Sequence, residues 1–425
     1  MMTLIARNTL IGGCVLLCSW PLYASSFNQQ DDDAVRLRLR NELRRADKPS
    51  AGSGRDIYAW VQGAALEYNS HYYQDRVGVD LGDFYVYKLG ARNNWSSRWY
   101  LNGTDSFNRY TAALKFKWSE RLYIKAGRMV TDSAYSGGKD LLIINSSSQR
   151  TVPTLSDAVL MQYRVNEELD IYAMYRHGIY TYPDVAEGVH KTGPVNPETY
   201  RHDTLRPQYI AALAWQRQCD NAGLAVSWQE DVAAQVMTKG ARCIPLAGDG
   251  QEVIKPEFMA FYARLNGTST RYDGPDNAWV MSGQLSYIVP RGRLSFGVGK
   301  TGNKPNGLSG IDTDLGYPFD LSIDRNHSDM WSVQFGGTLN LPGETFIGIA
   351  PILTHGYEDI HHRVTINGLS TNLLFGYQPQ SGLFKGAKAL LVLNKAREHR
   401  NGSAFGDRLD YYDIKMNLQY DFMLK

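Results

Sequence analysis

RYTAALKFKW, residues 109–118, alternates between two classes of side chain. The even-numbered positions are all apolar, namely Tyr110, Ala112, Leu114, Phe116 and Trp118. The odd-numbered positions are Arg109, Thr111, Ala113, Lys115 and Lys117. Because successive side chains of a β-strand point to opposite faces, this segment predicts a strand with one apolar face and one charged face.

The same period of two recurs along the chain. Short turns that join two alternating segments occur at 119–120, 166–168, 290–292 and 341–343. The last alternating segment has Tyr412, Ile414, Met416, Leu418, Tyr420 and Phe422 on one face and Asp413, Lys415, Asn417, Gln419 and Asp421 on the other. Long polar segments at 131–153, 184–203 and 301–329 separate other pairs. Short turns on one side and long loops on the other are typical of outer-membrane barrels.

The first residues predict export from the cytoplasm. Arg7 supplies a positive charge, residues 9–20 are mostly apolar, and small residues follow at 24–26. We therefore predict a secretory signal peptide at residues 1–25 and a mature domain at 26–425. The apolar segment is shorter than the roughly 20 residues that a transmembrane helix needs.

Composition limits the class of the mature domain. The mean hydropathy of −0.37 excludes a helical membrane protein, whereas barrel strands of alternating polarity average out as hydrophilic. The 40 glycines, 27 tyrosines and 9 tryptophans suit turns and aromatic girdles. A net charge of +2 gives no indication of a nucleic-acid partner. We predict one all-β domain, a transmembrane antiparallel β-barrel; a soluble β-rich binding protein is the alternative.

Two of the four cysteines, Cys219 and Cys243, lie beyond the signal peptide. Both fall near the ends of predicted strands on the same side of the barrel. Disulfides persist in exported proteins, so a Cys219–Cys243 bond is favoured over two free thiols.

Five segments together carry a resemblance to a known family. They are Leu37–Asn41, Ala59–Gly63, Arg150–Pro153, Leu341–Phe346 and Gly382–Gly386. In this order and spacing they resemble strands, turns and a loop element of the OprD family of substrate-specific porins, including its chitoporin-like branch. The resemblance spans nearly the whole mature chain.

The resemblance implies a monomeric barrel of about 18 strands with a narrow pore. Family members admit small solutes, often carboxylates or basic amino acids, and the chitoporin-like branch admits chito-oligosaccharides. The family lines its lumen with a ladder of basic residues, and Arg36, Arg38 and Arg40 match the start of that ladder. In the penultimate strand, where members often carry inward arginines, this chain has Leu390 and Val392.

The basic residues of the predicted strands form a candidate pore-lining track. Its members are Arg36, Arg38, Arg40, Lys115, Lys117, Lys125, Arg128, Arg164 and Arg176. A lumen lined by one sign of charge concentrates the opposite ion, so the track predicts anion selectivity. The alternative is that these cations are solvated or paired with Glu67, Asp170 or Asp413.

The segment 131–153 is the candidate constriction loop, mainly because of the resemblance. Its candidate donors are Lys139, Ser146, Ser147, Ser148 and Arg150. Hydroxyl and guanidinium groups suit a carboxylate or a sugar equally well.

Enzymatic motifs are weak in this chain. Gly299-Lys300-Thr301 lacks the first glycine of a phosphate-binding loop, since Leu294 occupies that position. No Gly-x-Ser-x-Gly motif is present. We therefore predict a passive diffusion channel of the bacterial outer membrane for small hydrophilic solutes, selective for carboxylate-bearing solutes or amino acids, and not an enzyme, with no cofactor and no metal. The alternatives are a chito-oligosaccharide channel and a barrel enzyme or adhesin. The expected partners are outer-membrane lipid and lipopolysaccharide, small solutes and the barrel assembly machinery.

Overall fold

The computed structural model describes most of the mature chain. The described residues are 33–47, 57–91, 100–101, 104–131, 139–144, 151–180, 207–246, 251–267, 276–303, 316–323, 325, 327–358, 360–382, 384–403 and 408–424. The predicted signal peptide lies outside them. Within these ranges no helix has the length and apolar character needed to cross a membrane.

The described residues form nineteen strands. They are β1 (Ala34–Asp47), β2 (Ile57–Asn69), β3 (Val77–Ala91), β4 (Ser106–Lys117), β5 (Leu122–Met129), β6 (Leu155–Arg164), β7 (Leu169–Tyr180), β8 (Gln208–Arg217), β9 (Asp220–Gln229), β10 (Ala233–Ala241), β11 (Ile244–Pro245), β12 (Val253–Leu265), β13 (Asn277–Val289), β14 (Gly292–Thr301), β15 (Ser328–Leu341), β16 (Thr345–Tyr357), β17 (Thr365–Tyr377), β18 (Ala387–Asn401) and β19 (Arg408–Met423). A short 3-10 helix covers Leu142–Ile144. The two-residue β11 extends one connection, and the other eighteen strands form the wall of the barrel.

The sheet is antiparallel throughout and closes on itself. β1 pairs with β19 over the whole length from Arg36 opposite Met423 to Asp47 opposite Tyr412. Closure removes the unpaired strand edges, which is a requirement inside a bilayer that offers no hydrogen bonds to backbone groups. The predicted transmembrane antiparallel barrel of about 18 strands is confirmed.

The connections differ in length between the two rims. One rim, the short-turn rim, carries tight turns such as 118–121, 218–219 and 290–291. The opposite rim, the long-loop rim, carries the connections 130–154, 181–207 and 302–327, although 230–232 is short there as well. In outer-membrane barrels the short turns face the periplasm.

The two faces of the wall follow the alternation seen in the sequence. On β4, Tyr110 and Leu114 are more than half exposed, whereas Lys115, the residue after Leu114, is fully buried. On β19, Leu418 is exposed and Asp413 is buried. The apolar positions therefore form the outer surface, and the charged positions face the lumen, as predicted.

Aromatic side chains concentrate at both ends of this apolar surface. Tyr175, Tyr209 and Trp228 lie side by side near the long-loop rim, with ring centroids 5.4 and 5.7 Å apart. Trp118 and Tyr163 are exposed near the short-turn rim. Such belts place amphipathic rings at the two membrane–water interfaces.

Candidate functional site

A row of charged side chains on β1 faces the lumen. Arg36, Arg38, Arg40, Glu42 and Arg44 occupy alternate positions, so they recur every 6.6 Å or so along the strand. The first strand therefore carries four arginines and one carboxylate into the interior of the barrel.

Each arginine of this row has a carboxylate neighbour. Pairs are formed by Arg36 with Glu67 (2.7 Å), Arg38 with Asp421 (2.8 Å), Arg40 with Glu42 (3.3 Å) and Arg44 with Asp413 (2.6 Å). The partners lie on β1 and on the strands flanking it, β2 and β19, because closure brings the two ends of the chain together. The pairing with Glu67 and Asp413 is what the alternative interpretation of the basic track proposed.

The pairing leaves an excess of positive charge. Lys388 on β18 and Lys415 on β19 share the lumen face with this row, as their register shows. We call the whole group the ladder: Arg36, Arg38, Arg40, Arg44, Lys388 and Lys415 with Glu42, Glu67, Asp413 and Asp421. Six cations thus face four carboxylates, a difference of two positive charges.

Elsewhere in the lumen, single carboxylates contact two cations each. Asp80 contacts Lys115 (3.0 Å) and Lys125. Glu257 contacts Lys255 and Arg293, both at 3.0 Å. The described lumen is therefore cationic at these sites too, although its cations are largely paired.

Three further members of the track also lie on the lumen face. Lys117 is near the short-turn rim, 2.7 Å from Asp75 and 2.8 Å from Glu120. Arg164 lies 3.9 Å from Asp170. Arg176 is almost wholly buried and donates to the Gln208 side chain at 3.1 Å.

Arg128 does not line the pore, and its assignment to the track is wrong. On β5 it pairs with Ala112, and Ala126 pairs with Leu114, so Arg128 shares the outer face with Leu114. Its guanidinium lies 4.7 Å from the Tyr110 ring and donates to Asp157 at 2.8 Å. The position of Arg128 in the two-residue alternation of β5, and not its charge, therefore determines that it faces outward.

The candidate constriction loop enters the lumen and descends along the wall. Its described part, residues 139–144, is here called the constriction segment. Lys139 contacts Asp170 at 2.8 Å and the Glu167 carbonyl at 3.1 Å, next to the short-turn rim. Asp140 contacts Lys239 of β10 at 2.6 Å. Two ion pairs therefore attach the segment to β7 and β10, far from the rim where the loop begins.

The rest of the constriction segment is apolar and packs against the wall. Leu141, Leu142, Ile143 and Ile144 are each at most 2% exposed. They form one cluster with lumen-facing residues of β4 to β13, among them Ala113, Leu160, Met174, Ile210, Ala212, Met237 and Phe261. Gly223 leaves room for Leu142, because a Cβ added at residue 223 would lie 3.1 Å from the nearest atom of the Leu142 side chain. The lumen face of this wall is therefore apolar where the constriction segment covers it.

The end of the constriction loop contacts the ladder. Thr151 donates a hydrogen bond to Glu42, the carboxylate that also pairs with Arg40. A Cβ on Gly63 would lie 1.8 Å from the Thr151 side chain, so only glycine fits there. The predicted donors Ser146, Ser147, Ser148 and Arg150 lie outside the described residues. Of the five predicted donors, Lys139 is the one that the structure places.

A second inserted segment was missed by sequence reasoning. Residues 316–323, from the long connection between β14 and β15, lie against the opposite wall. Asp320 is buried there and accepts hydrogen bonds at 3.0 Å from both Asn372 and Asn394. The Phe319 amide donates to Gln334 at 3.0 Å. The available signal was an acidic residue in a polar loop together with one inward asparagine on each of β17 and β18, Asn372 and Asn394, which lie opposite each other in the sheet.

Tyr317 connects the two inserted segments. Its ring packs against the apolar cluster that contains the constriction segment. Its hydroxyl donates to the Phe258 carbonyl at 3.2 Å. Burial raises the pKa of Tyr317 well above its ordinary value, so the hydroxyl stays protonated and remains a hydrogen-bond donor.

Cys219 and Cys243 are joined in a disulfide at the short-turn rim, with their Cα atoms 6.0 Å apart. Asp220 accepts a hydrogen bond from the Cys243 amide at 2.6 Å. These three residues form the one group of metal-ligating side chains within the described ranges. Since both sulfur atoms are in the disulfide, they are not thiolate ligands.

No family model matches the chain. The membrane-associated protein UidC of Escherichia coli K12 is 41% identical over 416 residues, which cover 97% of this chain and 98% of UidC.

Solved structures match over almost the whole barrel. Pseudomonas aeruginosa OpdK with vanillate has a TM-score of 0.73 at 17% identity, covering 92% of this chain and 99% of OpdK. OprD of the same organism has a TM-score of 0.70 at 18% identity, covering 95% and 99%. Acinetobacter baumannii OccAB4 has a TM-score of 0.74 at 14% identity, covering 93% and 100%. The chain is an outer-membrane β-barrel that has the fold of the OprD-family porins and belongs to the family of the membrane-associated protein UidC.

Proposed function

We propose that this barrel is a passive diffusion channel for small hydrophilic solutes and that it favours solutes with a carboxylate. The main support is the charge balance of the lumen. The ladder has two more cations than carboxylates, and Asp80 and Glu257 each contact two cations. In a narrow bore with low-dielectric walls such an excess raises the local concentration of anions.

A solved neighbour supports the same solute class. OpdK was crystallised with vanillate, which is a carboxylate. The match to OpdK concerns the fold, so it supports a channel of this type and leaves the solute of this chain to experiment.

A chito-oligosaccharide channel is the second candidate, and the lumen offers it less support. Sugar rings bind to exposed aromatic faces, yet Tyr172 on the lumen face of β7 is buried and donates to Asp170 at 3.0 Å. Val392, in the penultimate strand, is also buried.

The remaining expectations belong to the same proposal. We propose that the signal peptide at 1–25 directs export, that the assembly machinery inserts the barrel, and that it functions as a monomer surrounded by lipid. Exposed apolar side chains such as Leu213, Leu294 and Leu373 are distributed around the outer face, as expected for a surface covered by acyl chains. Transport through a porin needs neither catalysis nor a cofactor.

Swelling of proteoliposomes tests the proposed solute class. Gluconate and sorbitol both have six carbons and differ by the carboxylate. We expect gluconate to enter about twofold faster or more, because the excess cations attract its carboxylate. Equal rates would contradict the carboxylate preference, and faster entry of chitobiose would favour the second candidate. Absence of swelling with every solute would contradict a channel.

A further inference from the structure

A group of charged side chains lies on the outer face of the barrel at the long-loop rim. We call it the rim patch; it consists of Arg45, Lys395, Arg397 and Arg408 with Asp47 and Asp410. Four cations and two carboxylates give it two excess positive charges. None of its members belongs to the lumen.

Strand register brings these residues together on the lipid-facing side. Arg397 of β18 is directly opposite Asp410 of β19. Ile414, four residues further along β19, is opposite Arg45 of β1. Side chains opposite each other on antiparallel strands have Cβ atoms about 5 Å apart. The patch therefore spans three neighbouring strands, β18, β19 and β1, with Lys395 and Asp47 on either side of Tyr412.

The hydrogen bonds within the patch leave donors available. Arg397 and Arg408 each donate from Nε to a different oxygen of Asp410, both at 2.8 Å. Their side chains are 48% and 52% exposed. Among the described residues, their terminal guanidinium nitrogens have no hydrogen-bond acceptor, and Arg45 and Lys395 have no carboxylate within ion-pair distance. Asp410 therefore holds the two guanidinium groups next to each other, and both arginine side chains remain about half exposed.

The position of the rim patch along the barrel indicates which part of the membrane surrounds it. Towards the short-turn rim the same outer face becomes apolar, with Leu418 and Leu373 exposed. Cations at the level of the acyl chains are costly, whereas the cost falls nearly to zero at the membrane interface. The patch thus lies where the headgroups of the outer leaflet begin.

We propose that the rim patch binds the phosphate groups of an anionic glycolipid of the outer leaflet, that is, of lipid A. Arginine pairs bind phosphate through several charge-assisted hydrogen bonds in a planar geometry. The apolar surface below the patch would contact the acyl chains of the same lipid. This site is independent of the solute pathway, so the barrel has a specific lipid partner whatever solute it conducts.

Native mass spectrometry of the purified mature barrel in detergent, titrated with bisphosphorylated lipid A, tests the proposal. Arg397→Gln combined with Arg408→Gln is expected to weaken binding about tenfold or more, because each basic residue near a membrane surface contributes substantially to anion attraction. Asp410→Asn is expected to strengthen binding about fivefold, because it removes the carboxylate that competes with phosphate. Folding of each variant is verified by its heat-modifiable migration in gels.

The matched control is Arg121→Gln combined with Arg291→Gln, which removes two exposed arginines from the short-turn rim and should leave binding unchanged. Lipid A without phosphates is expected to bind weakly and equally to all variants. Inorganic phosphate is expected not to compete at equal concentration, because it lacks acyl chains. The proposal is overturned if dephosphorylated lipid A binds as tightly as the phosphorylated form, if free phosphate displaces the lipid, or if the rim-patch and control variants behave alike.

Discussion

Replacing Ile143 by aspartate is expected to raise the single-channel conductance about twofold or more, because it releases the constriction segment from the wall of the lumen. Ile143 is 1% exposed within the apolar cluster that holds the segment. An unpaired carboxylate there would cost several kcal/mol, and the apolar contacts of Ile143 would also be lost. The remaining attachments would include the two ion pairs at Lys139 and Asp140 and the hydrogen bond from Thr131 to the Ile144 carbonyl at 2.6 Å.

Ile143→Val is the matched control, since it removes one methylene group and leaves the packing almost intact. We expect it to conduct like the unmodified chain. Both proteins are measured in planar bilayers after their folding has been verified by heat-modifiable migration. If the aspartate variant folds and its conductance is unchanged, the constriction segment does not narrow the pathway.

The second large effect concerns ion selectivity. Arg38→Gln combined with Lys388→Gln reduces the excess charge of the ladder from two to zero. We expect the anion-to-cation permeability ratio to fall towards one, because the field of the lumen depends on this excess. Glu67→Gln combined with Asp421→Asn removes two carboxylates and raises the excess charge of the ladder to four. We expect this variant to increase the anion-to-cation permeability ratio about twofold or more.

The reversal potential under a tenfold salt gradient measures this ratio directly. Arg45→Gln combined with Lys395→Gln is the control, since it removes two cations from the outer face and leaves the lumen unchanged. Low total salt is needed, because screening shortens the reach of these charges to about 10 Å at 0.1 M. Identical potentials for the two ladder variants would show that the ladder does not control selectivity.

The fold was largely predictable because the period of a strand is two. A shift of one residue would move every apolar side chain to the lumen, so the alternation in 109–118 and 412–422 specifies the face of each strand. The strand β3 was harder to recognise from the sequence. It carries Asp83 on its outer face, held by Asn108 at 2.9 Å, and Gly78 and Gly82 on its inner face. A polar residue among the apolar positions and glycines among the charged ones obscure its pattern.

The site was predictable only in part. Inward charges on β1 followed from parity, but their partners did not, since Arg38 and Asp421 meet only after the barrel closes. Charge misled the assignment of Arg128, whose parity places it outside. The insertion of the constriction segment had a sequence signal, namely four consecutive apolar residues at 141–144 and apolar residues on both faces of β8. That signal could be interpreted only after the structure showed that the constriction segment covers the apolar, lumen-facing residues Ile210 and Ala212.

Incorporation of the purified mature barrel into a planar lipid bilayer tests the central claim most directly. A water-filled bore inside a closed wall predicts discrete conductance steps that scale with salt concentration and reverse with the sign of the voltage. A properly folded barrel that inserts and gives no such steps would contradict the account.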